Sequence, residues 1–214
     1  MQALVAGGHG KVAMRLLRLL AADGHRALGL IRNPDQAGDL KELGAEAVIA
    51  DLEREDIGAA VAGSDAVVFA AGAGPGSGPE RKQTVDLGGA VKLIGAAKAN
   101  GVKRYLMVSS MGADDPTAGS EQMRPYLEAK AAADAALQAS GLDYTIVRPG
   151  GLIDDAGTGL IDAAPSLGRR GSVPRDDVAA TLRACLEIDA TIGQTFELLS
   201  GGTPIEEALS SLPR

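Results

Sequence analysis

The reading turns on Gln2-Ala3-Leu4-Val5-Ala6, which runs directly into Gly7-Gly8-His9-Gly10-Lys11-Val12-Ala13 and then Met14-Arg15-Leu16-Leu17-Arg18-Leu19-Leu20. The first five residues form a short apolar run of the kind that makes a buried strand. Past the glycines, Val12, Leu16, Leu17 and Leu20 recur with helical spacing. Strand, glycine turn and helix in this order are the context that a dinucleotide-binding fingerprint requires. Gly7 and Gly10 lack a Cβ, so the backbone can turn tightly and bring its N–H groups close to a pyrophosphate. The helix adds unpaired N–H groups and the positive end of its dipole. Ala13, at the third small position, lets the helix pack close to the strand. The spacing fits either Gly7-x-x-Gly10-x-x-Ala13 or Gly8-x-Gly10-x-x-Ala13. Gly7, His9, Gly10, Lys11 and Val12 are therefore candidate cofactor-binding residues, with His9 read as a turn residue near phosphate.

The same alternation continues outward. Arg26 to Ile31 reads as a second strand, Pro34 to Leu43 as a helix closed by Gly44, and Glu46 to Ala50 as a third strand. A helix is expected from near Glu53 to Gly63, and a fourth buried strand from Asp65 to Ala70. A long helix is expected over Glu80–Ala99 with Thr84, Leu87, Val91 and Ile94 on one stripe. A fifth strand follows over Lys103–Ser109, a helix over Tyr126–Ser140 and a sixth strand over Asp143–Val147. After Gly151 the chain reads as irregular, with a short segment at Leu160–Ala163. It regains order in a helix from Asp176 to about Glu187, a strand at Thr195–Leu199 and a short helix at Ile205–Leu212. Alternating strands and helices imply right-handed crossovers and an α/β fold, a doubly wound parallel sheet with helices on both faces.

Bulk properties agree. The chain has 214 residues, 45% hydrophobic and 23% charged, with aromatics at only 2%, so the core must be built from Ala, Val, Leu and Ile. That composition suits a parallel sheet covered by helices. Its length suits one domain, residues 1–214, with residues 151–214 supplying a small substrate lid and the last strand and helix. A net charge of −7 argues against nucleic acid or an anionic membrane as partner. No apolar run is long enough for a membrane span and the first strand begins at once, so no signal peptide is visible. Cys185 is the only cysteine, which fits a reducing cytoplasm and a small buried side chain. The two histidines belong to no ligand cluster, so no metal is expected. A small-molecule substrate and a monomer or homodimer complete the expectation.

Three positions speak to the cofactor. In a dinucleotide fold the second strand ends beside the adenosine ribose, where a carboxylate bonds the 2′-hydroxyl of NAD and an arginine accommodates the 2′-phosphate of NADP. Arg32 stands there, so NADP is expected over NAD. Asp51 and Leu52 follow the third strand, where Asp51 could bond the adenine amine or cap the next helix. Ala71-Gly72-Ala73-Gly74-Pro75-Gly76-Ser77-Gly78-Pro79 leaves the fourth strand at the ligand-binding end, with Ala71 and Gly72 as candidate contacts. It reads as a mobile loop over the nicotinamide side.

The candidate chemistry lies in Tyr126-Leu127-Glu128-Ala129-Lys130, which puts a tyrosine and a lysine one helical turn apart on one face. Hydride transfer at a carbinol needs a proton relay at its oxygen, and a free phenol is a weak base at neutral pH. A neighbouring ammonium favours the phenolate. Ser110, leaving the fifth strand, can orient the same oxygen, and Lys130 can also reach the nicotinamide ribose. Ser110, Tyr126 and Lys130 are the candidate catalytic residues.

Taken together, the opening glycine turn, Val108-Ser109-Ser110-Met111-Gly112-Ala113, Tyr126-Leu127-Glu128-Ala129-Lys130 and Asp143-Tyr144-Thr145-Ile146-Val147-Arg148-Pro149-Gly150-Gly151-Leu152 resemble the short-chain dehydrogenase/reductase superfamily. Within it the chain is similar to short atypical NAD(P)H-binding, epimerase/dehydratase-like members. The resemblance implies a Rossmann-type sheet, catalytic roles for Ser110, Tyr126 and Lys130, and a nicotinamide bordered by Pro149 and Gly150. Typical members carry asparagines after the fourth strand, where this chain has Ala70-Ala71-Gly72. The stretch after Gly151 is short for a nucleotide-sugar pocket, so a small carbonyl or alcohol substrate is favoured, with specificity in Gly72–Pro79 and Leu152–Val173. Two alternatives remain: a non-catalytic NADP(H) redox sensor, and an epimerase or dehydratase that retains its nucleotide.

Overall fold

The first strand shows how the sheet is buried. In a computed structural model, which describes residues 1–74 and 76–213, Gln2–Ala6 forms β1. Successive side chains of a strand point to opposite faces. Ala3 and Val5 accordingly enter one apolar cluster, and Leu4 and Ala6 enter another on the far side of the sheet. The same split recurs along β4 (Ala66–Phe69), β5 (Arg104–Val108) and β6 (Asp143–Pro149), where Val68, Leu106 and Val147 face the first cluster. Phe69, Tyr105, Met107 and Ile146 face the second. A strand buried on both faces reads as a continuous apolar run, which is why these were visible in the sequence.

Among the described residues the sheet has nine strands. From one edge they run β3 (Glu46–Ile49), β2 (Arg26–Ile31), β1, β4, β5, β6, β10 (Gln194–Ser200), β8 (Leu160–Ala164) and β11 (Thr203–Pro204). All pairings from β3 to β10 are parallel, and β10–β8 and β8–β11 are antiparallel. Helices α1 (Lys11–Ala22), α2 (Ala37–Glu42), α7 (Arg175–Glu187) and α8 (Ile205–Ser210) supply the first cluster. On the other face lie α3 (Gly58–Val61), α5 (Ala90–Ala99) and α6 (Arg124–Gln138). This is a Rossmann-type sheet, and its strand order reverses between β1 and β4, where such folds open a crevice. Among the described residues, no helix is long and apolar enough to cross a membrane.

Three expectations need correction. The stretch after Gly151 is not irregular: Gly151–Ile153 (β7) pairs in parallel with Ser172–Pro174 (β9), and β8 pairs with β10. The helix expected from Glu53 shrinks to α3, because Asp51 Oδ1 accepts from Glu53 N–H and turns the chain there instead. The long helix begins as α4 (Pro79–Arg81), passes through a π-helical segment Lys82–Gly89, and only then becomes α5. A π turn inserts an extra residue and shifts the phase of the face. Val85, Asp86, Gly89, Ala90 and Leu93 are buried, while Val91, on the expected stripe, is 46% exposed.

Candidate functional site

At the carboxyl ends of β1, β2 and β4 a cleft of about 300 Å³ is lined by Gly7, Gly8, His9 and Gly10, by Arg32, by Asp51, Leu52 and Glu53, by Ala71 and Gly72, and by Arg81. Gly7 holds the left-handed φ of +80°, and a Cβ there would lie 2.6 Å from Ala71 Cα. Both conformation and space demand glycine. The helix that follows starts bare. Gly10 is its N-cap without a side-chain bond, and the N–H groups of Lys11, Val12 and Ala13 meet no acceptor among the described residues. Three orphan donors with the positive end of a 12-residue helix form an anion cradle, and a pyrophosphate fits the donor set.

Charge is arranged around the rim. Arg32 Nη1 lies 3.5 Å and Arg81 Nη2 3.6 Å from Glu53 Oε2, so two guanidiniums flank one carboxylate at the end of β2. His9 Nε2 is 2.7 Å from Asp39 Oδ2. Lys11 turns away from the cleft: its Nζ donates to Asp154 Oδ2 at 2.6 Å, and Arg175 and Arg15 approach the same carboxylate at 2.9 and 3.7 Å. The bond from Lys11 leads these contacts in holding the Asp154 carboxyl below its usual range.

A second, larger cleft of about 870 Å³ opens at the ends of β5 and β6. It brings together Ser110, Tyr126, Pro149 and Gly150. Its walls are the loop carrying Asp114 to Met123 and the segment Ser166–Gly171. Lys130 lies beneath, 3% exposed, where its Nζ donates to Val108 O at 3.0 Å and lies 3.3 Å from Asp86 Oδ1. Asp86 is 1% exposed and accepts from Ala73 N–H through Oδ2 at 3.2 Å, which ties the glycine-rich segment to this pair. The Lys130 ammonium is 5.8 Å from the Tyr126 ring centroid, and Lys82 Nζ is 5.1 Å from it. The π segment thus delivers two charged groups to the tyrosine–lysine pair. Behind α6, Arg148 Nε donates to buried Asp134 at 3.0 Å. Burial pushes the Asp134 carboxyl up, against the charge of Arg148.

A family described as NAD(P)H-binding matches residues 7–189. The chain belongs to that family. Bacillus subtilis "Uncharacterized sugar epimerase YhfK" is 43% identical over 99% of this chain and 100% of its own. A solved structure from Bacillus halodurans, provisionally named an NAD-dependent epimerase/dehydratase, is 45% identical with a TM-score of 0.96, covering 99% and 100% of the two chains. The oxidoreductase ylbE from Lactococcus lactis is 31% identical with a TM-score of 0.88, covering 99% and 96%.

Membership in the NAD(P)H-binding family gives the two clefts a common frame, and the residues singled out in the sequence divide between them. Gly7, His9, Gly10, Arg32, Asp51, Leu52, Ala71 and Gly72 line the first, and Ser110, Tyr126, Pro149 and Gly150 the second. The side chains of Lys11 and Val12 line neither, since Lys11 pairs with Asp154 and Val12 is buried in the core. Lys130 is likewise beneath the surface rather than lining a cleft. The glycine-rich loop, expected over the nicotinamide side, is tied through Ala73 N–H to Asp86 beside Lys130. Among its described residues only Ala71 and Gly72 line a cleft, and it is the first one; Pro75 lies outside the described residues. Asp86, Lys82 and Arg81 were missed, because a helix read with 3.6-residue period turns them toward solvent.

Proposed function

We propose that the chain is an NADP-dependent oxidoreductase of the short-chain type, acting in the cytoplasm on a small carbonyl or alcohol, with no nucleic acid or membrane partner. The observation that carries this reading is the convergence of Ser110, Tyr126 and the Pro149–Gly150 strand end on one cleft, with Lys130 beneath it. In it the orphan N–H groups of α1 hold the pyrophosphate and Arg32, with Arg81, receives a 2′-phosphate. A bound nicotinamide supplies hydride chemistry. Tyr126 gives or takes the proton at the substrate oxygen, and the Ser110 hydroxyl orients that oxygen. Lys82 and Lys130, on the Tyr126 ring at 5.1 and 5.8 Å, stabilise negative charge that develops on its oxygen.

The name of the Bacillus subtilis relative favours a second reading, a nucleotide-retaining epimerase that uses the same residues. Calorimetric titration with NADPH and NADH, with an assay for nucleotide released on denaturation, separates the two. Tight binding of NADPH by stripped protein, followed by NADPH consumption with an aldehyde panel, supports the oxidoreductase. Tyr126→Phe should then lower kcat by about 10²–10⁴-fold with NADPH affinity retained. Unchanged turnover in that variant overturns the assignment of Tyr126. Retained nucleotide with no net consumption favours the epimerase.

A further inference from the structure

Among the described residues, six charged side chains line the second cleft, and five of them have partners in the chain. Asp114 faces Arg148 at 3.9 Å, and Asp115 accepts from Thr117 and Ala118. Glu197, buried, accepts from Leu167 N–H at 2.6 Å. Arg169 bonds Asp162 and Ser200 O, and Arg175 bonds Asp154 at 2.9 Å. Arg170 alone has no hydrogen-bond or ion-pair partner among the described residues.

The position of Arg170 is set by backbone. Gly171 O accepts from Gly151 N–H at 2.9 Å, and β7–β9 pairing begins beside it at Gly151 and Ser172. The approach is so close that a Cβ on Gly150 would lie 2.5 Å from Gly171 O and run into Leu199. The loop that carries Arg170 is therefore fastened to the strand end that borders the second cleft.

We propose that the substrate carries an anionic group, a carboxylate or a phosphate, and that Arg170 receives it; this rests on reading the second cleft as the substrate site. A guanidinium presents a planar fork that matches either oxyanion. Arg170 then sets specificity and register, leaving the carbonyl or carbinol end of the substrate to Ser110 and Tyr126.

The test uses one scaffold with three ends: 4-formylbenzoate, 4-formylphenyl phosphate and the neutral methyl 4-formylbenzoate. Binding is measured by calorimetry on the whole protein, with and without NADPH, and NADPH consumption is followed separately. At least one anionic aldehyde should bind about tenfold or more tighter than the neutral ester, as for a hydrogen bond between charged groups. The better of the two names the anion. Arg170→Gln should collapse that ratio toward one, and Arg170→Lys should restore part of it, while the melting temperature and NADPH affinity of both variants stay at the wild-type value. Equal binding of charged and neutral aldehydes, binding of none, or a ratio that survives Arg170→Gln overturns the proposal. An Arg170-dependent preference without NADPH consumption overturns the oxidoreductase reading and leaves the anion site standing. Equal consumption of all three does the reverse.

Discussion

Replacing Asp86 with asparagine should destabilise the protein more than replacing Asp86 and Lys130 together. The two groups are 1% and 3% exposed and 3.3 Å apart, and the hydrogen bond that Lys130 makes among the described residues goes to the neutral Val108 carbonyl. Asparagine keeps an acceptor for Ala73 N–H but removes the charge, so the ammonium is left buried without a counter-ion. Removing one member of a buried pair costs about 3–5 kcal/mol. For a chain of this length that is a fall in Tm of roughly 6–20 °C, at about 2–4 °C per kcal/mol. Lys130→Met strands the carboxylate in the same way. The double variant removes both charges, and an apolar replacement of a whole buried pair is often neutral or stabilising. Urea unfolding of the four proteins closes the cycle, with matching m-values as the check that the unfolded states are comparable. The coupling energy should reach about 1–3 kcal/mol. Single losses that sum to the double loss within about 0.5 kcal/mol would refute the pairing.

Other consequences can be measured on the same protein. Arg32→Ala should weaken NADPH by about 1.5–3 kcal/mol and leave NADH nearly unchanged in calorimetry; equal losses remove Arg32 from the 2′-phosphate. Asp134 is held protonated to higher pH in the folded state than in the unfolded chain, because burial raises it. Its stabilising contribution is therefore complete below about pH 4 and is lost as pH rises through the folded value. Wild-type stability should fall relative to Asp134→Asn across that window in pH-dependent urea melts, and a flat difference contradicts the burial argument. Burial pushes the Cys185 thiol up to about 12, so a disulfide reagent should leave it untouched in the native protein and label it in urea. Prompt native labelling would refute its enclosure.

The parts legible in the sequence are those whose signal is local. β1, β4 and β5 are apolar runs because both faces are covered, and α1 shows its stripe at Val12, Leu16, Leu17 and Leu20, all buried. β7, β8 and β9 were not legible, since each is defined by a partner far along the chain: Gly151 meets Ser172, and Ala163 meets Leu198. The site shows the same division. Ser110, Tyr126 and Lys130 sit in motifs at fixed spacing, whereas Asp86 is a lone carboxylate in a helix and reads as solvated. Only the π turn, which no residue pattern announces, rotates it inward beside Lys130.

That difference bears on what the opening glycines mean. Gly7 is required by its φ of +80° and by the 2.6 Å that a Cβ would leave to Ala71, so its identity follows from how β1 and β4 end beside one another. A glycine demanded by packing would be there with or without a ligand. The information about a ligand sits one step later, in the uncapped N–H groups of Lys11, Val12 and Ala13, and in the guanidiniums of Arg32 and Arg81 around Glu53. Capping residues are common at helix starts because orphan donors are costly when buried. A helix that begins with Gly10 forgoes the cap at the point where the strand order reverses and a crevice opens. The missing cap, more than the glycines, argues that an anion completes this end of the fold.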